Sequence, residues 1–331
     1  RKGPRGAFTL FGEPLMLLGH ETAWHEWHEA MAGKRMHHAW LLAGRRGVGK
    51  GSFALAAARE LVGADRTEAQ HHPDIHVLTY APKDDKEERK RADGKPYELA
   101  RSIRIAQVRA MQSRLGTRPT MGDRRAIIVD PADDLERNAA NALLKSLEEP
   151  PVGTYFLLVS HSPARLLPTI RSRCRVLRFP TVSEAQMDLL LRDLAPDADD
   201  ATRAAAIAAA AGSPGAARQF VDMELGKVAQ AMGNILDRGD PDFHLRGTLA
   251  GLIGARPDRE RIRAVLELAR SVVAQRLEAS LDNPDRIIDA HSELVRLSGE
   301  QPTYNFDAGL LAMEIGTLLV KAAAVSERAD G

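Results

Sequence analysis

Apolar and polar positions follow two different regimes along this chain. In the first half, short apolar runs stand between polar segments: Trp40-Leu41-Leu42-Ala43, Ala126-Ile127-Ile128-Val129, Tyr155-Phe156-Leu157-Leu158-Val159, and Val176 to Phe179. Runs of this length without strict alternation predict parallel strands buried on both faces. Helical periodicity lies between them: Glu21 to Ala32, with Trp24, Trp27 and Met31 on one side, then Ser52 to Val62, then Asp133 to Glu149. The two tryptophans fit core packing or the wall of a base pocket. Ile103, Ile105, Val108, Met111 and Leu115 predict a strand edge turning into a helix. Pro82 to Pro96 is charged with almost no apolar residue, which predicts a solvated, mobile loop or hairpin tip. From Thr181 the pattern is helical and alanine-rich. Beyond Met223 about five helical segments follow, clearest in Glu260 to Leu281 and Ala308 to Val325, with turn signals at Pro241, Pro257, Pro284 and Pro302.

One turn between the first strand and its helix carries chemistry. Gly44-Arg45-Arg46-Gly47-Val48-Gly49-Lys50-Gly51-Ser52 has the spacing of a phosphate loop: glycine, four residues, then Gly-Lys. Gly44, Gly47 and Gly49 let backbone amides surround a phosphate, and Lys50 adds charge where the helix begins. Gly51, however, occupies the place of the hydroxyl that ligates Mg²⁺, and Ser52 is one residue late, about 100° around the helix axis. Asp130 ends the second apolar run, where an acid at a strand's carboxyl end can hold Mg²⁺ through water. Pro131 follows it, so the carboxylate that would polarise an attacking water is missing. Ser160, His161 and Ser162 end the next strand and suit either phosphate sensing or capping of the turn. Arg171-Ser172-Arg173-Cys174, taken alone, reads as a solvated basic cluster.

Composition narrows the field. The 331 residues carry 46 basic and 45 acidic side chains, so nucleic-acid binding would require a local patch rather than a global field. No apolar run reaches the roughly 18 to 20 residues of a membrane span, and a cytoplasmic location is expected. Cys174 is the single cysteine, which excludes an internal disulfide and a multi-cysteine zinc site. His71, His72 and His76 give no tetrahedral ligand set, so no metal is expected.

The order of these motifs resembles the AAA+ clamp-loader family of bacterial DNA replication. His38-Ala39-Trp40-Leu41-Leu42 before the loop, Asn141-Ala142-Leu143-Leu144-Lys145-Ser146-Leu147-Glu148-Glu149-Pro150-Pro151, and Leu167-Pro168-Thr169-Ile170-Arg171-Ser172-Arg173-Cys174 carry the likeness. A weaker match runs through Gly212-Ser213-Pro214-Gly215 to Tyr304-Asn305. The resemblance implies a P-loop AAA+ domain over 1–180 with a parallel sheet, a small helical lid over 181–222 and an all-α collar over 223–331 that joins other collars in a ring. It implies that Arg173, flanked by Ser172 and Cys174, is an arginine finger acting in trans on ATP held by a neighbour, with Cys174 a buried structural residue. Gly215 replaces the arginine of the family's lid sensor. With Gly51 and Pro131, that makes three losses on one reaction path. The implied role is a non-hydrolysing stator that supports loading of a sliding clamp onto primed DNA. Its implied partners are gamma or tau motor subunits and a delta subunit, the clamp indirectly, and primer-template DNA through phosphates. No cofactor is required, although Lys50 and the glycines leave weak nucleotide or phosphate binding open. Many relatives carry a four-cysteine zinc module that this chain lacks, so zinc is not expected. The alternatives are an ATP-hydrolysing gamma or tau motor subunit and a free-standing P-loop switch or DNA-repair ATPase.

Overall fold

The computed structural model describes residues 18–33, 36–64, 72–279, 284–300 and 307–323. His71 and the pair Tyr304-Asn305 lie outside them. The chain divides into two compact units, Arg1–Val182 and Ser183–Gly331.

Among the described residues, the first unit is built on five parallel strands: β1 (Ala39–Gly44), β2 (Ile75–Leu78), β3 (Arg125–Val129), β4 (Thr154–Ser160) and β5 (Arg175–Phe179). Their order across the sheet is β2-β3-β4-β1-β5, so the strand that feeds the glycine-rich loop lies between β4 and β5. Successive side chains of a strand point to opposite faces, and the apolar runs exploit this. Trp40, Leu42, Ile128, Leu157, Val159, Leu177 and Phe179 share one core with α1 (Glu21–Ala32) and α2 (Lys50–Val62). Leu41, Ile127, Val129, Phe156 and Leu158 share another with α4 (Ile105–Leu115), α5 (Arg137–Glu148) and α6 (Pro168–Arg171). Both faces of β1, β3 and β4 are buried, which is why they read as continuous apolar runs. Strand β5 instead buries Leu177 and Phe179 and turns Arg175, Val176 and Arg178 to solvent, so the expectation of two buried faces fails there. Trp27 is fully buried edge-on to Trp40, with ring centroids 5.4 Å apart, so the tryptophans belong to the core.

Three expectations change. The charged run is not a mobile loop: Asp85–Ala92 forms α3. Asp84 caps it by accepting from the Glu87 amide at 3.0 Å, acids lead and bases trail in accord with the helix dipole, and Lys90–Glu87 and Arg91–Glu88 pair one turn apart. The excursion closes as a hairpin would, through Lys83 N–H to the Glu98 carbonyl and Ala100 N–H to the Ala81 carbonyl. Second, the helix expected from Asp133 begins only at Arg137, after a 3₁₀ turn at Ala132–Asp134. Asp133 and Asp134 are engaged elsewhere, by β4 and by the Tyr80 hydroxyl, and Leu135 bridges Ile103. Third, β2 was not expected; it is a short edge strand with His76 and the exposed Val77 in it.

The second unit is helical. Three helices, α7 (Glu184–Leu194), α8 (Asp200–Ala210) and α9 (Pro214–Asp222), are capped by Ser183, Asp199 and Ser213, whose side chains accept from the Gln186, Thr202 and Ala216 amides. Five more follow: α10 (Gly226–Arg238), α11 (His244–Ile253), α12 (Arg259–Ala279), α13 (Pro284–Glu300) and α14 (Ala308–Lys321). Between α10 and α11, Asp240 is buried and accepts from Arg246 Nε at 2.8 Å and from the Leu245 and Arg246 amides at 2.9 Å. On α14, Leu311, Ile315, Leu318 and Leu319 are buried, whereas Leu310 is exposed.

Candidate functional site

The glycine-rich loop connects β1 to α2 over Arg45–Gly49. Gly47 and Gly49 have φ of 78° and 105°, a left-handed backbone that side chains disfavour. Gly44 is needed for a different reason: a β-carbon there would lie 2.3 Å from the Phe179 carbonyl oxygen of β5. Lys50 turns back under the loop, its ammonium donating to the Gly44 and Arg45 carbonyls at 2.7 and 2.5 Å. It is almost fully buried, and burial pushes its pKa down to about 8 although the carboxylates of Asp130 and Asp133 act to raise it. Burial likewise raises Asp130 to about 6, against the opposing charges of Lys50 and Arg46. Gly51 and Ser52 both stand in the first turn of α2, as the spacing requires.

Two residues that sequence reasoning did not single out shape this end of the sheet. His20, just ahead of α1, is buried and donates through Nε2 to the Val48 carbonyl, stacking edge-on to Phe179 at 4.9 Å. Asp133 accepts from the Ser160 hydroxyl at 2.7 Å and from the His161 and Ser162 amides, tying the turn after β3 to the end of β4. Ser160 therefore serves this tie, and its hydroxyl is fully committed to a carboxylate. An acid three residues after Asp130 was visible in the sequence, but nothing in its spacing distinguished it from a helix-start residue.

Arg173 is found at the other end of the strands. It precedes β5, whose Arg175 lies beside Trp40 near the start of β1, whereas Gly44 lies beside Phe179 at the far end. Four strand steps, about 13 Å at 3.3 Å per residue, separate these two rows, and Lys50 is beyond the farther one. The Arg173 guanidinium is split between Glu148 Oε1, 2.7 Å from Nη2, and the Thr169 carbonyl, 2.8 Å from Nη1. Ser172 is exposed and its hydroxyl donates to the Thr169 carbonyl at 3.2 Å. Cys174 is half-buried rather than buried, and desolvation raises its thiol to about 12, so it is unreactive at neutral pH. In the second unit, Gly215 lies in the first turn of α9 behind the Ser213 cap. No cluster of histidine, cysteine or acidic residues suited to a metal ion occurs among the described residues.

The loop residues and Asp130 thus assemble at the carboxyl ends of the strands, whereas Arg173, Ser172 and Cys174 form a separate surface at the amino ends. Residues 19–183 match the family model described as "DNA polymerase III, delta subunit". The chain is 34% identical over 208 residues to the DNA polymerase III subunit delta' of Pseudomonas aeruginosa, covering 57% of this chain and 58% of that protein. It is 32% identical over 198 residues to the delta' subunit of Escherichia coli, covering 55% and 54%. The match to the tau/gamma subunit of Haemophilus influenzae, 31% over 159 residues, takes in 46% of this chain but only 22% of that one. The chain spans roughly half the length of the curated relatives it matches. Among solved structures, a DNA polymerase III gamma subunit-related protein of Thermotoga maritima has the same fold, with a TM-score of 0.51 at 15% identity over 91% of this chain and 99% of that one.

Proposed function

From the match of residues 19–183 to the DNA polymerase III delta-subunit model and the similarity to delta' subunits, we propose that the chain belongs to that family and is a stator of the clamp loader. In this reading it does not hydrolyse ATP; it donates Arg173 to ATP held by an adjacent motor subunit. A guanidinium there neutralises charge that develops as the phosphoryl group is transferred.

The observation that carries the proposal is the placement of Arg173 across the sheet from its own phosphate loop. With a strand's length between them, the arginine cannot serve the nucleotide its own chain would bind. It is half-exposed on a surface that a neighbouring chain could meet. The losses at Gly51, Pro131 and Gly215 support the other half of the reading, that no chemistry is run at home. Lys50 already donates to two carbonyls of the loop, so in this reading the loop serves as scaffold, with at most weak phosphate binding. Residues 181–222 take the role of lid and 223–331 of collar. The partners are the gamma or tau motors and a delta subunit, with the sliding clamp reached indirectly. DNA contacts run through phosphates and are therefore independent of sequence and sensitive to salt.

Reconstitution with the motor subunits tests this. Arg173→Ala is expected to leave assembly intact while hydrolysis at the site it serves falls by about 10³-fold or more, and clamp loading falls with it. Unchanged hydrolysis would remove the trans role. The isolated chain should show no steady-state ATPase above background; turnover at the rate of a motor subunit would overturn the stator reading.

A further inference from the structure

We propose that Glu148 is a positioning residue for Arg173: it fixes the direction in which the guanidinium leaves the surface. The inference rests on the reading of Arg173 as a residue that acts on a neighbour.

Arg173 follows α6, a helix of only four residues, and one of its two anchors, the Thr169 carbonyl, belongs to that same helix. An anchor of this kind moves with the arginine and cannot aim it relative to the rest of the unit. Glu148 can. It is the last residue of α5, whose Leu143 and Leu147 are embedded in the core against the sheet, and whose end is held by His38 Nε2 donating to the Leu147 carbonyl at 3.0 Å. The 2.7 Å contact from Glu148 Oε1 to Arg173 Nη2 therefore ties the guanidinium to the rigid sheet layer.

Neither stability nor helix chemistry accounts for this acid. The two side chains are 36% and 48% exposed, and pairs so open to water add little to folding. A carboxylate in the last turn of a helix also faces the negative end of the helix dipole, where a base is preferred. The contact does leave capacity for a ligand. Of the five guanidinium N–H donors, Glu148 and Thr169 take one each, so three are free to meet phosphate oxygens. Without Glu148 the long side chain would have to be ordered each time a neighbour's nucleotide is engaged. Immobilising one such side chain is worth about three- to tenfold in a rate or an equilibrium constant.

The test uses the chain reconstituted with DNA polymerase III motor subunits and follows ATP turnover and assembly together. Glu148→Ala is expected to lower kcat about three- to tenfold while leaving the KM for ATP and the assembly affinity unchanged. Glu148→Gln, which keeps an acceptor oxygen without the charge, should recover turnover to within about twofold of the unsubstituted chain. Glu148→Lys, which repels the guanidinium, should lose more than Glu148→Ala. An increase in turnover with Glu148→Ala would overturn the proposal by showing that the acid restrains the arginine. Unchanged turnover, or a loss that tracks weakened assembly, would overturn it by leaving only a structural role or none. If Arg173→Ala itself leaves turnover unchanged, the underlying reading fails instead; if Arg173→Ala lowers turnover and Glu148→Ala does not, only this inference fails.

Discussion

A lysine buried under its own loop makes that loop respond to pH. Burial lowers Lys50 from 10.5 to about 8, against the pull of Asp130 and Asp133. Between those values the unfolded chain still holds a proton that the folded chain has released. The first unit should therefore gain stability as pH rises through that window, by about 1.4 kcal/mol per unit at most, and show none of the gain below it. Thermal melts from pH 7 to 10 check this, and Lys50→Met should flatten the rise. A second buried group gives a slope of the same sign in the acid range, there because the folded chain favours the charged form. Asp74 accepts from the Thr120 and Met121 amides at 2.7 and 2.8 Å and faces the buried Arg125. Burial, the largest influence, raises its pKa, but the two amides and the Arg125 charge together hold it below the usual carboxylate range. Its contribution is present above that range and lost as pH falls through the lowered value. Asp74→Ala, which removes the acceptor of two amides and leaves the buried Arg125 charge with only the Arg114, Thr117 and Arg118 carbonyls, should cost about 3–5 kcal/mol in denaturant titration at neutral pH. The loop glycines and Lys50 were legible in the sequence because amide cradles demand those residue types at fixed spacing. The contacts of His20, Asp133 and Glu148 were not. Their partners Val48, Ser160 and Arg173 are some 25 to 28 positions away, and no local periodicity encodes a contact at that separation.

Elements with two buried faces announced themselves, and those whose identity depends on neighbours did not. Strands β1, β3 and β4 are apolar along their length because helices cover both sides. Edge strand β2 has mixed composition, since one side of it faces water at Val77. Helix α3 is stabilised almost wholly by its cap, its dipole and its ion pairs, so a search for apolar stripes passes over it. The start of α2 yields a further prediction. Gly51→Thr restores a hydroxyl where a metal-bound nucleotide would need one and removes a glycine from a helix, which alone is worth roughly 0.5 kcal/mol. Magnesium-dependent binding of ATP to the isolated chain should strengthen in isothermal titration. Hydrolysis should still be absent, because Pro131 continues to supply no base. Turnover in this variant would mean that another residue fills that role.

The whole molecule repeats one structural device in two separate places. Each compact unit contains a buried arginine–aspartate pair: Arg125 with Asp74 in the first, Arg246 with Asp240 in the second. Asp240→Ala should therefore weaken hydrogen-exchange protection in α10, α11 and α14, while β3 and β4 amides keep theirs. Loss of protection in both units would mean that they unfold as one. Among the described residues the sheet ends at β5, which pairs with β1 and shows Arg175 and Arg178 to solvent, the former over the Trp40 ring at 5.0 Å. Charges on an open strand oppose the addition of another chain's strand. A lone copy of this chain is thus defended against edge-to-edge pairing on that side by the two arginines of β5.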